Sequence, residues 1–361
     1  MNLLRRLHLS RLLLVCGAVV ALGAGLAAIA SALGSGPTPA PLPLAQAVEN
    51  ALNAPRVDGV SARITFTNHL LEGANLAGGG DGGGSIASNP LVSGASGRLW
   101  VASDGRMRIE LQSEKGDTEI IYDGHTVSVY DTANNAIYRY TPEQHATDGP
   151  ADDQGAPPSI ADVERAIAHL REHAVVSGAT PSDVAGQPAY TVRISPKEGG
   201  SLLGGAEVSF DAGHGLPLRT AIYSSKSSAP VVELAATEVS YGPVDSSVFS
   251  LAAPSDASVH VIEPGGGKTA EEAPDGQDGH GKLTGHGHGI STIGVLETPD
   301  HSARKQGGPL EQLPTVSVKG TSASELRTAL GTILTFERSG VRYVVAGAVE
   351  AGQVEALARE L

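Results

Sequence analysis

Apolar and polar positions alternate with a period of two through much of the chain. In VSARITFTNHLL, Val60, Ala62, Ile64 and Phe66 stand against polar neighbours, which predicts a strand with one buried face. GRLWVASDGRMRIELQS reads as two strands, Leu99–Ala102 and Met107–Leu111, joined at Asp104-Gly105, a dipeptide suited to a tight hairpin turn. A second Asp-Gly pair, Asp123-Gly124, divides DTEIIYDGHTVSVYD. In YDGHTVSVYDTANNAIYRY, Val127 and Val129 alternate with Ser128 and Tyr130, and Tyr138 and Tyr140 with Ile137 and Arg139. The intervening Asp131, Asn134 and Asn135 favour a turn, so the segment reads as a hairpin whose rings line one sheet face. Successive antiparallel strands of this kind make a meander. More strands follow in AYTVRISP, EVSFDAGHGLPLRTAIYSS and VVELAATEVSYG, each with one greasy side.

The helical period of 3.6 appears in fewer places. Leu44, Val48 and Leu52 recur every four residues and predict a short amphipathic helix. Ser159 and Asp162 make a capping-box start after Pro157-Pro158, and Ile160, Val163, Ile167, Leu170 and Ala174 continue at helical spacing. Near the C-terminus Ser322 and Glu325 suggest a capping box ahead of Leu326 and Leu330. There ILTFER and VRYVVAG flank Ser339-Gly340 as a hairpin, and Val354, Leu357 and Leu361 mark a last helix.

These patterns divide the chain. Residues 1–36 hold Arg5, Arg6 and Arg11, no acid, and an apolar run of 22 residues from Leu12 to Leu33. At about 1.5 Å per residue such a run spans a bilayer core of about 30 Å, so it reads as a signal anchor with the N-terminus inside. Ala30-Ser31-Ala32 offers the alternative of a signal peptide cleaved near Ala32. A Pro-rich spacer, 37–43, leads to the main strand-rich domain, 44–258, which a Gly-rich insertion at 73–97 interrupts. A Gly/His-rich linker, 259–313, then precedes a small helix-hairpin-helix module, 314–361, too small for a free-standing core.

Charge narrows the partners. Three of the 25 Lys and Arg residues and none of the 39 acids lie in residues 1–36, so the exported part carries a formal −17. That surface repels phosphate backbones and anionic headgroups, which excludes nucleic acid and leaves the N-terminal helix as the route to a membrane. Cys16, in the apolar run, is the only cysteine, so there is no disulfide framework or cysteine zinc site.

Chemical motifs are sparse. GGGDGG at 78–83 fits G-x-G-x-x-G without the strand and helix that give the pattern meaning, and GGGKT at 265–269 lacks the first glycine of a phosphate loop. His280, His286 and His288 could meet a metal ion, but a disordered linker pays about 1–2 kcal/mol per residue ordered, so solvated linker is the preferred reading and no metal or cofactor is expected. Asp123, His125 and Asp131 sit at hairpin ends, where turn formation explains them, and no G-x-S-x-G elbow, H-E-x-x-H helix or second carboxylate motif accompanies them. An enzyme is not expected.

Taken in order, GRLWVASDGRMRIELQS, YDGHTVSVYD, YRYTP, a helix, VAGQPAYTVRISP, EVSFDAGHGLPLRTAIYS and TEVSYGPVDSSVFSLAAP resemble the bacterial lipoprotein-carrier (LolA-like) family and its RseB/MucB-type sigma-E regulatory relatives, over about residues 44–258. The resemblance implies an α+β fold, an unclosed antiparallel β-barrel (half-barrel) wrapped over helices with an apolar lumen for acyl chains. Phe66, Trp100, Met107, Ile109, Tyr130, Tyr138, Tyr140 and Phe210 are then candidates for its lumen or rim. The implied function is a non-enzymatic, extracytoplasmic, membrane-anchored binding protein for lipidated proteins or lipid acyl chains. The alternative is a regulatory sensor acting on a membrane partner such as an anti-sigma factor. The possible anchor, the insertion, the linker and the tail module depart from a freely shuttling carrier.

Overall fold

The computed structural model describes residues 36–72, 90–114, 116–142, 158–252, 254–262, 282–299 and 313–361. The apolar run, GGGDGG, GGGKT and His280 lie outside these residues.

The period-two segments form strands, and their order in space follows from which backbone ladders close. Helix α1 (Leu44–Leu52) precedes β1 (Gly59–Asn68), and a helical turn, α2 (Pro90–Ser93), leads into β2 (Ala95–Ala102), β3 (Met107–Ser113), β4 (Gly116–Tyr122), β5 (Val127–Asp131) and β6 (Ala136–Tyr140). These pair as an antiparallel meander with turns at Gly105 (φ 90°) and Gly124 (φ 102°). Helix α3 (Ile160–His173) starts at the predicted capping box, in which Ser159 accepts from the Asp162 backbone and Asp162 from that of Ser159. Strands β7 (Ala174–Val176), β8 (Thr180–Val184), β9 (Gln187–Pro196), β10 (Leu203–Asp211), β11 (Pro217–Ser224) and β12 (Pro230–Tyr241) follow, and β13 (Ser258–Ile262) adds in parallel to β6.

Among the described residues this is one thirteen-stranded sheet, ordered β13-β6-β5-β4-β3-β2-β1-β12-β11-β10-β9-β7, with β8 on β9. Its ends do not meet, so the sheet is unclosed. The helices cover only part of it. Leu44 and Ala47 of α1 pack on Tyr190, Val192 and Phe210, and Ile167 of α3 joins the same cluster. Val163 is the one residue of α3 that is fully buried, while Ile160 and Leu170 stay exposed. The α3 helix therefore does not close the core over the meander rings; it leans on α1. At Gly215 (φ +67°) the β10–β11 turn comes so close to α1 that an added Cβ would lie 2.1 Å from the Ala51 carbonyl oxygen.

The C-terminal residues form a second sheet, ordered β14 (Lys282–His286), β15 (Ile293–Pro299), β19 (Val341–Gly347), β18 (Thr332–Arg338), β17 (Thr321–Arg327) and β16 (Thr315–Val318), with α4 (Ala351–Glu360) across it. Val295, Val318, Leu334, Val345 and Val354 are fully buried in its core. The predicted helix from Ser322 is instead β17. Lys319 (φ 47°) and Gly320 (φ 80°) turn the chain back from β16, Ala323 and Glu325 point inward, and β16 and β18 hydrogen-bond the backbone on both sides, so long-range pairing overrides a local helix-start signal. The stretch read as linker likewise contains β13, β14 and β15, because each finds a sheet edge to pair with. Residues 95–97, read as the end of the Gly-rich insertion, belong to β2.

The two sheets meet through backbone hydrogen bonds and an ion pair. Leu202 N donates to Ala348 O at 2.7 Å, Ala329 N to Leu70 O at 2.9 Å, and Lys226 pairs with Glu350 at 2.6 Å. Ala329 and Leu330, in the β17–β18 turn, pack on the apolar cluster of the first sheet.

We expect Gly215→Ala to lower stability in urea unfolding by about 1–3 kcal/mol through the clash with α1. Gly186→Ala, also at positive φ (+74°) but with nothing within 4 Å, tests conformation alone and should cost about 1 kcal/mol.

Candidate functional site

Register sorts every strand position onto one of two faces. Ile64 sits opposite Gly97, Phe66 opposite Ala95, Leu99 opposite Ile109, Ile109 opposite Ile120, and Ile120 opposite Val129. Across the other edge of β1, Phe66 pairs with Leu234 and Ile64 with Ala236, and Val232 continues to Ile222. One face is thus an unbroken apolar band from β5 to β11. Phe66, Ile64, Ile109, Leu111 and Ile120 are buried, whereas Leu99, Met107, Val127, Val129, Ile222, Leu234, Ala236 and Val239 are only half-buried. Leu91 of α2 joins this cluster, but no residue of α1 or α3 does. A wall of half-buried aliphatics on which neither α1 nor α3 packs retains apolar surface, the property a site for a hydrocarbon chain needs.

The opposite face is charged. On neighbouring strands Arg193, Glu207, Arg219 and Glu233 alternate in sign, with Arg193–Glu207 at 3.0 Å, Arg219–Glu207 at 2.9 Å and Arg219 paired to Glu233. Tyr223 donates to Glu207 at 2.7 Å, and Arg193 lies 4.2 Å from the centre of its ring. Burial pushes the Glu207 carboxyl up, but the bonds from Tyr223, Arg219 and Arg193 outweigh it and hold the carboxyl below its usual range. Burial, followed by the bond to Glu207, pushes the Tyr223 hydroxyl up. Further along this face Arg108 pairs with Glu110 at 2.7 Å and Glu119 at 3.0 Å and donates to Val248 O at 2.9 Å, which ties a 3-10 turn, Ser246–Phe249, over β3.

The hairpin-end acids hold backbone. Asp123 accepts from His125 N at 2.9 Å and Thr126 N at 2.8 Å, and Asp131 from Ala133 N at 3.0 Å. Asp211, buried at the β10–β11 turn, accepts from the Gly213 and His214 backbones at 2.7 Å and from the Tyr241 hydroxyl at 2.5 Å. Burial and then the Asp211 bond push the Tyr241 hydroxyl far up, so it stays a donor. Two grooves lie at the seam between the sheets. One, of about 460 Å³, is lined by His69, Leu202, Val231 and Ala329; the other, of about 750 Å³ and more polar, by Arg193, Glu198, Lys226 and Glu350.

The candidate residues from the sequence divide between these environments. Phe66, Met107, Ile109, Tyr138 and Tyr140 fall on the apolar face; Tyr138 and Tyr140 are each 38% exposed, at the rim, and Tyr138 stacks on His260 of β13 with ring centroids 5.2 Å apart. Trp100 and Tyr130 fall on the opposite face. The expectation of one ring-lined face therefore fails for Tyr130: the four-residue loop Thr132–Asn135 pairs even with odd positions, which sends Tyr130 and Tyr138 to opposite sides. Tyr130 is buried and donates to Asn135 at 3.2 Å. Phe210 packs beneath α1. The half-buried wall residues of β11 and β12, Ile222, Leu234 and Ala236, were not singled out, although their alternation was legible. His286 lies in β14 and His288 beside it, both exposed.

A family profile described as a predicted periplasmic protein (DUF2092) matches residues 87–150, in keeping with an exported chain. No curated protein sequence matches. Among solved structures, the Pseudomonas aeruginosa MucA/MucB complex is similar at 18% identity and a TM-score of 0.42, over 87% of this chain and 94% of that one. MucB in complex with MucA(peri) is similar at 16% identity with the same TM-score of 0.42 and the same coverage, 87% and 94%. A LolA superfamily protein from Nitrosomonas europaea is similar at 8% identity and 0.20, over 84% and 90%. These belong to the two groups that the sequence resembles. No helix among the described residues is long and apolar enough to cross a membrane.

The charge ladder predicts a pH dependence. A carboxyl held below its unfolded value contributes stability above that value and loses it as pH falls through the lower, folded one. Thermal unfolding of the full chain should therefore fall off on the acid side of the ordinary carboxylate range, and Glu207→Gln should be less stable at neutral pH and flatter in that acid window. Equal acid profiles for the two proteins would remove Glu207 from the account.

Proposed function

We propose that this chain is a non-enzymatic extracytoplasmic binding protein that holds an acyl chain, free or attached to a protein, against the apolar face of its thirteen-stranded sheet. The observation that carries this reading is the half-buried band running from Val127 and Val129 through Leu99 to Leu234 and Ile222, free of α1 and α3. Binding there is burial of aliphatic surface, worth about 25 cal/mol per Å² removed from water. The band offers little that would orient a polar group, so it selects for hydrocarbon length and bulk. The acidic exterior, formally −17 beyond residue 36, adds repulsion towards anionic headgroups, which leaves the tail as the part held.

A second reading, a sensor acting on a membrane partner such as an anti-sigma factor, is favoured by the seam. Ala329 and Leu330 of the second sheet pack on the same apolar cluster that would receive the chain. Filling that cluster would bias the position of the second sheet, and a partner that touches both sheets would respond to it.

Mass spectrometry of organic extracts from the purified protein should reveal bound lipid, and Ala236→Phe or Val129→Phe, which fill the band, should lower the amount several-fold while the far-ultraviolet circular dichroism stays unchanged. Lipid-free preparations of the unaltered protein would refute the reading. Crosslinking in cells separates the two roles: captured lipoproteins indicate carriage, and one membrane regulator indicates sensing.

A further inference from the structure

Helix α3 carries the run His169-Leu170-Arg171-Glu172-His173. Positions four apart lie one above the other on a helix, so His169 and His173 share a face, and their rings meet edge to face with centroids 6.1 Å apart. Glu172 Oε2 lies 3.2 Å from His169 Nδ1, and both side chains are largely exposed, 62% and 69%. A carboxylate accepting from Nδ1 favours the tautomer in which Nε2 is unprotonated, which leaves the lone pair of Nε2 free to bind. Among the described residues the His173 ring has no hydrogen-bond partner, and all three groups are exposed to solvent.

We propose that His169 and His173, with Glu172 orienting His169, form a binding site for one divalent transition-metal ion of the copper or zinc type. Two metal–nitrogen bonds of about 2.0 Å at a tetrahedral angle put the rings about 5 Å apart, so a small rotation of two exposed side chains brings 6.1 Å to that span. Water would complete the coordination. Among the described residues no third His, Cys, Asp or Glu already converges on the pair, so the site is open and exchangeable. The ion would sit near the C-terminal end of α3, the negative end of the helix dipole. Lys197 already exploits that end by donating to the Arg171 and Glu172 carbonyl oxygens. The spacing also fits H-x-x-E-H, which some metallopeptidases place on a helix, but neither described groove lies over α3, so the inference is of binding alone.

The test uses the full chain with His260, His280, His286, His288 and His301 changed to Ala, which removes the competing imidazoles of the 259–313 stretch. Titration with Cu²⁺, the strongest binder of the divalent series, should show one saturable site, with two nitrogen ligands in the electron paramagnetic resonance spectrum. In that background His173→Ala and His169→Ala should each weaken binding by at least about tenfold and leave one nitrogen, and Glu172→Gln should weaken it by about tenfold while keeping two. All three positions are exposed, so unfolding does not confound the variants. Absence of a saturable site in the background protein, or affinity unchanged by His173→Ala, would overturn the proposal.

Discussion

The pairing of β1 with β12 is the constraint on which the first sheet depends. It joins a strand near residue 60 to one near residue 235, in a ladder that runs from Val60–Tyr241 to Asn68–Val232. Without it the β2–β6 meander and the β9–β12 strands would be two separate sheets, each with an edge of unpaired backbone groups. With it, the inward side chains of both halves fall in one band, and Phe66 lies between Ala95 and Leu234. A register shift between Arg63 and Ile64 lets the band continue, because Ala62 faces Val239 while Ile64 faces Ala236. That one irregular residue keeps apolar next to apolar along a strand pair whose strict alternation would otherwise have slipped a face.

Much of this was legible in the chain itself, and the failures have physical causes. Strand positions, the Asp-Gly turns and the Ser159 capping box are local, set by side-chain period and turn chemistry, and they appear where the patterns put them. Which face a residue joins is not local. It depends on the parity of each loop, so Tyr130 and Tyr138 read as neighbours on a face and stand on opposite ones. The segment from Ser322 has a fair helix start, but its partners β16 and β18 saturate its backbone, and propensity yields to pairing. Residues 259–262 and 282–286 looked like linker because they adjoin Gly-, His- and Asp-rich chain; edge strands need only a partner's backbone, which composition does not disclose. Of the candidate site, the aliphatic members were visible as alternation, whereas the absence of α1 and α3 from their cluster was not, since a helix's amphipathic stripe does not say which surface it meets. The His169–Glu172–His173 spacing is present in the chain, but spacing alone does not distinguish it from a solvated helix face.

The two faces of the sheet use opposite means of stabilisation. On the charged one Arg193, Glu207, Arg219 and Glu233 compensate one another across four strands, and Tyr223 uses its hydroxyl and its ring to hold three of them. Ion pairs that are partly screened contribute little each, yet Arg193 stands directly across from Glu207, and a slip of β9 on β10 would set it against Ser209 or Gly205 and leave both charges without their partner. The charged face therefore enforces the alignment that gathers the aliphatic residues on the other face. Charge pairing on one face and burial on the other are one arrangement seen from two sides.

The seam joins this arrangement to the second sheet. Ala329 and Leu330 belong by chain to the β17–β18 turn and by packing to the first sheet's apolar cluster, and the Ala329 amide is bonded to Leu70, two residues beyond the end of β1. On the proposed reading, an acyl chain lying along the band would compete with or extend that contact, because both draw on the same exposed hydrocarbon. A carrier and a sensor then differ in one quantity, the difference in ligand affinity between the docked and undocked positions of the second sheet. Where that difference is near zero the ligand is held and nothing else follows; where it reaches a few kcal/mol, occupancy of the sheet becomes a statement about the seam that a partner can read.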